Sequence, residues 1–187
     1  MHSGIREAGG GVARYYRSDI RRNLRISTEI TGYAVSCLTY LYKTTGDSAF
    51  LDAARGSAGF LCRTAWDQRL DIFPFEQSTN GDAPESLAYF FDSGIIVRGL
   101  LSLYREDPRQ EWLDAAVRCG RGMARDFLSS EAIHPILSLP SKAARPWEPR
   151  WSRSPGCYQL KSALGWLELA DLTQDPAFHA YYERALG

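Results

Sequence analysis

Two acidic residues hold matching places in this chain: Glu29, in Ser27-Thr28-Glu29-Ile30-Thr31-Gly32-Tyr33, and Asp92, in Phe91-Asp92-Ser93-Gly94. Each stands just ahead of a glycine that opens an apolar stretch, in the first turn of a predicted helix. Two carboxylates facing one cleft can divide the roles of general acid and general base. One carboxylate with the hydroxyl of Tyr33 or Tyr158 can likewise move a proton. The same positions also have a purely structural use. An acid in the first turn stabilises a helix through its dipole by about 0.3–1 kcal/mol, and aspartate is a favoured N-cap. The sequence leaves both readings open.

The elements that must position these acids come from an internal repeat. Gly32 to Tyr42 and Gly94 to Tyr104 align at an offset of 62 residues, with Leu41-Tyr42 answered by Leu103-Tyr104. Phe50-Leu51-Asp52-Ala53-Ala54 and Trp112-Leu113-Asp114-Ala115-Ala116 keep that offset. A third copy begins near Gly156 and drifts by about four residues, so that Asp175-Pro176-Ala177-Phe178 answers Asp47-Ser48-Ala49-Phe50. Each copy reads as helix, short turn, helix, giving hairpins over about 28–65, 91–128 and 156–187. Thr45-Gly46-Asp47-Ser48 supplies a terminating glycine and then a cap for the next helix.

Charge separates the two helices of a hairpin. Ile30 to Tyr42 carries no charged residue and Gly94 to Tyr104 carries only Arg98, whereas the partner helices carry charge along one face. A helix apolar nearly all round is buried on both sides, and a half-polar helix faces water. An inner ring of helices wrapped by an outer ring satisfies both conditions. The expected fold is all-α, a single domain of three helical hairpins forming a partial α/α toroid. The connections over about 66–87 and 129–155 are long for a compact domain. They lead from outer to inner helices and should gather at one mouth of the ring, where Glu29 and Asp92 lie.

Gly10-Gly11-Val12-Ala13-Arg14, Glu29 to Tyr33, Phe91 to Gly94 and Tyr158-Gln159-Leu160-Lys161 together resemble motifs of the six-hairpin glycosidase-like proteins of bacterial polysaccharide metabolism. The likeness covers nearly the whole chain. It implies a carbohydrate-active or carbohydrate-binding protein of glycosidase, lyase or epimerase type, with an oligo- or polysaccharide as partner. Lys161 departs from it, standing where arginine is common. A complete ring of that kind needs about twice as many hairpins, so this chain reads as half of an (α/α)6-type barrel. A half ring exposes apolar inner helices. Pairing with itself, pairing with a complementary half-barrel chain, or truncation of the reading frame would each account for that.

The resemblance makes Glu29 and Asp92 the candidate catalytic pair, because two carboxylates flanking a sugar ring can act as acid and base. Tyr33, Phe75, Trp147, Trp151, Arg153 and Tyr158 are the candidate substrate-binding residues. Flat rings suit the apolar faces of pyranoses, and an arginine such as Arg153 suits a uronate carboxylate. Phe73, Tyr89, Arg145 and Arg150 belong to the same loops. The structural alternative is ordinary plugging beneath long loops, and for the whole chain a non-catalytic helical scaffold holding partners through its inner face.

Composition sets the outer limits. The 22 basic and 22 acidic residues cancel, which removes the electrostatic footprint of nucleic-acid binding. No apolar run reaches the roughly 20 residues of a membrane helix. The polar, glycine-rich start does not read as a secretory signal, so a cytoplasmic location is expected. Neither the four separated cysteines nor the three scattered histidines suggest a metal site, and no cofactor is expected. Cys37, Cys62 and Cys119 fall in helical patterns, where reduced thiols behave as small hydrophobes. The Asp-rich cluster of triterpene cyclases and the zinc site of prenyltransferases, which also use toroids, are missing.

Overall fold

A computed structural model describes residues 4–77, 86–150 and 152–187. Among them are six α-helices: α1 (Thr28–Thr45), α2 (Ser48–Phe60), α3 (Phe90–Glu106), α4 (Gln110–Phe127), α5 (Gln159–Thr173) and α6 (Pro176–Leu186). The Ser27 hydroxyl caps α1 by accepting from the Ile30 N–H at 3.1 Å. Gly46 ends that helix in the left-handed region at φ 73°, and Asp47 then caps α2 through the Ala49 N–H. Asp175 repeats the device for α6. A π-helical turn, Leu61–Ala65, continues α2.

Helices α1 and α5 pack on either side of α3, while α2, α4 and α6 back their hairpin partners. This gives an inner row α1–α3–α5 and an outer row α2–α4–α6. Trp112, Trp166, Phe90, Phe127 and Phe178 fill the space between the rows, each almost fully buried. Arg55 of α2 clamps the α3–α4 turn by donating to both carboxylate oxygens of Asp107, at 2.9 and 3.0 Å. That pairing holds the Asp107 carboxyl below its usual range.

The inner row is tight because small residues meet backbone. A Cβ on Gly99 would lie 2.5 Å from the Gly32 carbonyl oxygen, and one on Gly32 would lie 3.0 Å from the Ile96 Cα. One hairpin later, a Cβ on Gly94 would lie 2.5 Å from the Ser162 carbonyl oxygen. The 62-residue offset between Gly32 and Gly94 therefore reports a reused helix–helix contact. Gly94→Ala should destabilise the fold by about 1–3 kcal/mol through overpacking, outweighing the better helix propensity of alanine. An unchanged midpoint in urea would contradict that contact.

Burial is complete only for the middle of the row. Helix α3 is buried along most of its length, whereas Tyr33 and Tyr40 of α1 are 37% and 66% exposed. Helices α1 and α5 end the row, so each lacks one inner neighbour. Cysteine exposure follows the same geometry. Cys37 and Cys157 are exposed, Cys119 is buried, and burial first and the Glu111 charge second push the Cys62 thiol up to about 12. Iodoacetamide at mildly alkaline pH should label Cys37 and Cys157 and spare the other two in the folded protein. Rapid labelling of Cys62 or Cys119 would sink that assignment.

Among the described residues, the long connections and the N-terminal arm contribute two three-stranded antiparallel sheets. One is β1 (Val12–Arg17), β2 (Arg22–Ser27) and β3 (Glu76–Gln77); the other is β4 (Leu87–Tyr89), β5 (Ile136–Ser138) and β6 (Ala143–Ala144). Strand β2 runs directly into α1 and β4 directly into α3. Both sheets thus sit where inner helices begin. The arm's start is pinned to the helices: the Val12 N–H donates to Thr31 Oγ1 at 3.0 Å, and the Ser57 hydroxyl donates to the Gly10 carbonyl at 2.8 Å. Its tip, with Tyr15 and Tyr16, is exposed. No described helix is long and apolar enough to cross a membrane. The described residues hold no cluster of three potential metal ligands.

Candidate active site

Glu29 and Asp92 line one cleft of 240 Å³, together with Phe75, Tyr89, Phe91, Arg14 and Arg153. The two acids arrive from adjacent inner helices, α1 and α3. Asp92 is 5% exposed, and its Oδ2 has no hydrogen-bond partner. A buried carboxylate oxygen without a partner is costly. Burial, and after it the negative charge of Glu29, push the Asp92 carboxyl well above its usual range, with Arg14 working against both. Glu29 is half-buried; burial raises its carboxyl too, opposed by Arg14 and Lys161. The pair is therefore unequal, with Asp92 the deeper and more readily protonated member.

The sheet that begins with β1 supplies one of the cleft's cations. Arg14 of β1 ion-pairs with Glu76 of β3, which also takes Arg25 of β2 at 3.1 Å. The Arg14 guanidinium lies 4.8 Å over the Phe75 ring, and that ring lies 4.8 Å from Tyr89 between centroids. Arg153 closes the opposite side, held by both Glu148 oxygens at 2.9 and 3.0 Å. Its charge offsets part of the rise that burial imposes on the Tyr89 hydroxyl.

A second groove of 340 Å³ continues along the same inner face. Tyr33 stands one helical turn beyond Glu29, and Lys161 of α5 reaches across to donate to its hydroxyl at 3.0 Å. The Lys161 ammonium also lies 5.2 and 5.6 Å from the Tyr33 and Phe91 rings.

No family model and no curated protein matches the sequence. Solved structures match the backbone along nearly its whole length. A sugar epimerase from a ruminal bacterium superposes with a TM-score of 0.82 at 14% identity, over 98% of this chain and 49% of its own. Cellobiose 2-epimerase from Spirochaeta thermophila gives 0.80 at 14%, over 97% and 47%. The unsaturated glucuronyl hydrolase of Bacillus sp. GL1 gives 0.70 at 17%, over 98% and 50%. The chain has the fold of half a six-hairpin α/α toroid. It spans about half the length of these neighbours.

In the half-toroid, the cleft lies at the mouth and the second groove runs along the face that would look into the ring. The structure brings Glu29, Asp92, Phe75 and Arg153 together and sets Tyr33 one turn away. It does not bring Trp147 or Tyr158 to them. Trp147, 54% exposed, lines a separate 540 Å³ pocket between the ends of α4 and α6 and the start of α5. The Tyr158 hydroxyl is engaged by the Ser154 hydroxyl, with the Arg150 carbonyl 3.4 Å away. Trp151 lies outside the described residues. Arg14 and Glu76 were not singled out as site residues from sequence. The signal for Arg14 was present, since it ends the Gly-Gly-Val-Ala-Arg segment; Glu76 carried none.

Proposed function

We propose that this half-toroid binds a saccharide at the mouth and acts on it by acid–base chemistry between Asp92 and Glu29. The observation that carries this reading is the buried, unpartnered Asp92 Oδ2, lining a cleft beside a second carboxyl. Other buried polar atoms also lack partners, such as Trp66 Nε1 and Gln159 Oε1. Among the described residues, only at Asp92 is the atom a carboxylate oxygen beside a second carboxyl in a cleft, the arrangement a reactive site uses. Asp92, held protonated by burial, is suited to present a proton to a sugar oxygen. Glu29, kept closer to ionised by Arg14 and Lys161, is suited to accept one from water or from the sugar. Phe75 and Tyr89 supply ring faces for the apolar side of a pyranose. The neighbours named for sugar epimerisation and for glucuronyl hydrolysis support a saccharide as the substrate class. They do not choose between the two reactions.

The test is an oligosaccharide binding and turnover screen on wild type, Glu29→Gln and Asp92→Asn. Wild type should bind and turn over at least one glycan. Both variants should keep binding within a few-fold and lose turnover by about 10²-fold or more, the scale of acid–base catalysis. Equal turnover in all three proteins would end the assignment.

A further inference from the structure

The groove beyond the mouth carries an excess of positive charge, of which only Lys161 also bears on the acid pair. Arg98 and Arg105 of α3 and Lys161 of α5 line it, against the single carboxylate of Glu168. Glu168 is shared: one oxygen takes Arg98 at 2.7 Å and the other takes Arg105 at 2.8 Å. Three cations against one anion leave a local surplus of two positive charges in a chain whose formal charge is zero. The hydroxyl-bearing side chains Ser36, Ser102 and Tyr33 stand among them.

The groove is also built rather than incidental. The two arginines lie seven residues apart on one face of α3, and Glu168 meets both from α5, so the guanidinium groups are tethered along the groove while part of each side chain stays open to a ligand. Lys161 is oriented by the Tyr33 hydroxyl and by two ring faces. Fixed donors aligned on one wall favour an anion with several acceptor oxygens over a neutral hydroxylated chain.

We infer that this groove is a subsite for an acidic sugar unit, a carboxylate- or sulfate-bearing residue of the saccharide whose neighbouring unit occupies the mouth. The inference rests on the proposed saccharide function and assigns the substrate class. A sugar entering the mouth between Glu29 and Asp92 would extend its next unit past Tyr33 toward Lys161 and Arg105. The charge surplus then selects polymers with an anionic substituent on that unit.

The experiment is calorimetric titration with three probes: a trigalacturonate, a sulfated glycosaminoglycan tetrasaccharide and neutral cellotriose. Wild type and the Lys161→Met/Arg105→Gln double variant are compared at low and high salt. Both residues are exposed, and Arg98 stays on Glu168, so the variant should fold; its circular dichroism and melting curve check this. At least one acidic probe should bind about tenfold or more tightly than cellotriose, with the preference weakened by salt and abolished in the double variant. Which acidic probe binds tells carboxylate from sulfate. If cellotriose binds as well as both acidic probes, or the preference survives the double substitution, the subsite is refuted while the mouth reading stands. If no probe binds, the subsite is refuted, and the mouth reading is decided by the turnover screen.

Discussion

Asp92→Asn should remove turnover and at the same time raise the melting temperature at neutral pH by several degrees. The two effects have one origin. Wild-type folding buries a carboxyl that would ionise freely in the unfolded chain, and the fold raises its pKa through burial and the charge of Glu29. A carboxyl raised in the folded state contributes its full stability below the unfolded value, about 4 for aspartate, and loses it as pH rises toward the folded value. Asparagine carries no such dependence. The variant should therefore nearly match wild type at about pH 4 and pull ahead as pH increases. What asparagine relieves is the ionisation penalty, about 1.4 kcal/mol for each pH unit by which the fold raises the carboxyl, and each kcal/mol corresponds to roughly 2–4 °C in a chain of this size. Melting curves across that range, with and without a bound oligosaccharide, would show it. A gap that does not change with pH, or a variant less stable at neutral pH, would refute the electrostatic account of Asp92.

The second large effect concerns the fold. Trp166 of α5 is fully buried and joins three other helices. Its indole N–H donates to the Gly120 carbonyl of α4 at 2.8 Å. Its ring meets Phe90 of α3 at 5.5 Å and Tyr181 of α6 at 5.7 Å between centroids. Trp166→Ala should cost about 3–5 kcal/mol through lost burial and the cavity left behind. The Gly120 carbonyl would lose that donor as well. Against a total stability of about 5–15 kcal/mol, that should uncouple the third hairpin. Urea unfolding should show a much lower midpoint or a second transition. Trp147→Ala, at an exposed position, should move the midpoint little. A loss below about 1 kcal/mol for Trp166→Ala would mean the third hairpin is not integral to the core.

The helices were legible in the sequence because their contacts repeat. Gly32 and Gly94 mark the same backbone approach in consecutive hairpins, and Gly46 and Asp47 end and restart helices by local chemistry that needs no tertiary context. The sheets were not legible. Strands β1 and β2 are six residues long but show no buried–exposed alternation. Strands of two or three residues, such as Glu76–Gln77 and Ala143–Ala144, are too short to show any; they form only where the inner helices hold their partners together. The site divided along the same line. That Glu29 and Asp92 open neighbouring helices could be read from position. The burial of Asp92 depends on the surroundings of the helix start, and the role of Arg14 on an ion pair with Glu76, 62 residues away and two strands over in the sheet, neither of which leaves a local pattern. Trp147 shows the converse: an aromatic in a long loop is attractive on composition, yet its own connection carries it to a separate pocket at the start of α5.

The close contact of Gly32 with Ile96 and Gly99 acquires a further meaning once the cleft is known. Glu29 lies one turn before Gly32 on α1, and Asp92 one turn before Ile96 on α3. The spacing between the acids is therefore gauged by rigid backbone contact a turn below them, not by the loops around the mouth. Those loops can diverge to suit different sugars without detuning the pair. A methyl group added at Gly99, which lines neither the cleft nor the groove, would act as a shim and spread the two carboxyls apart.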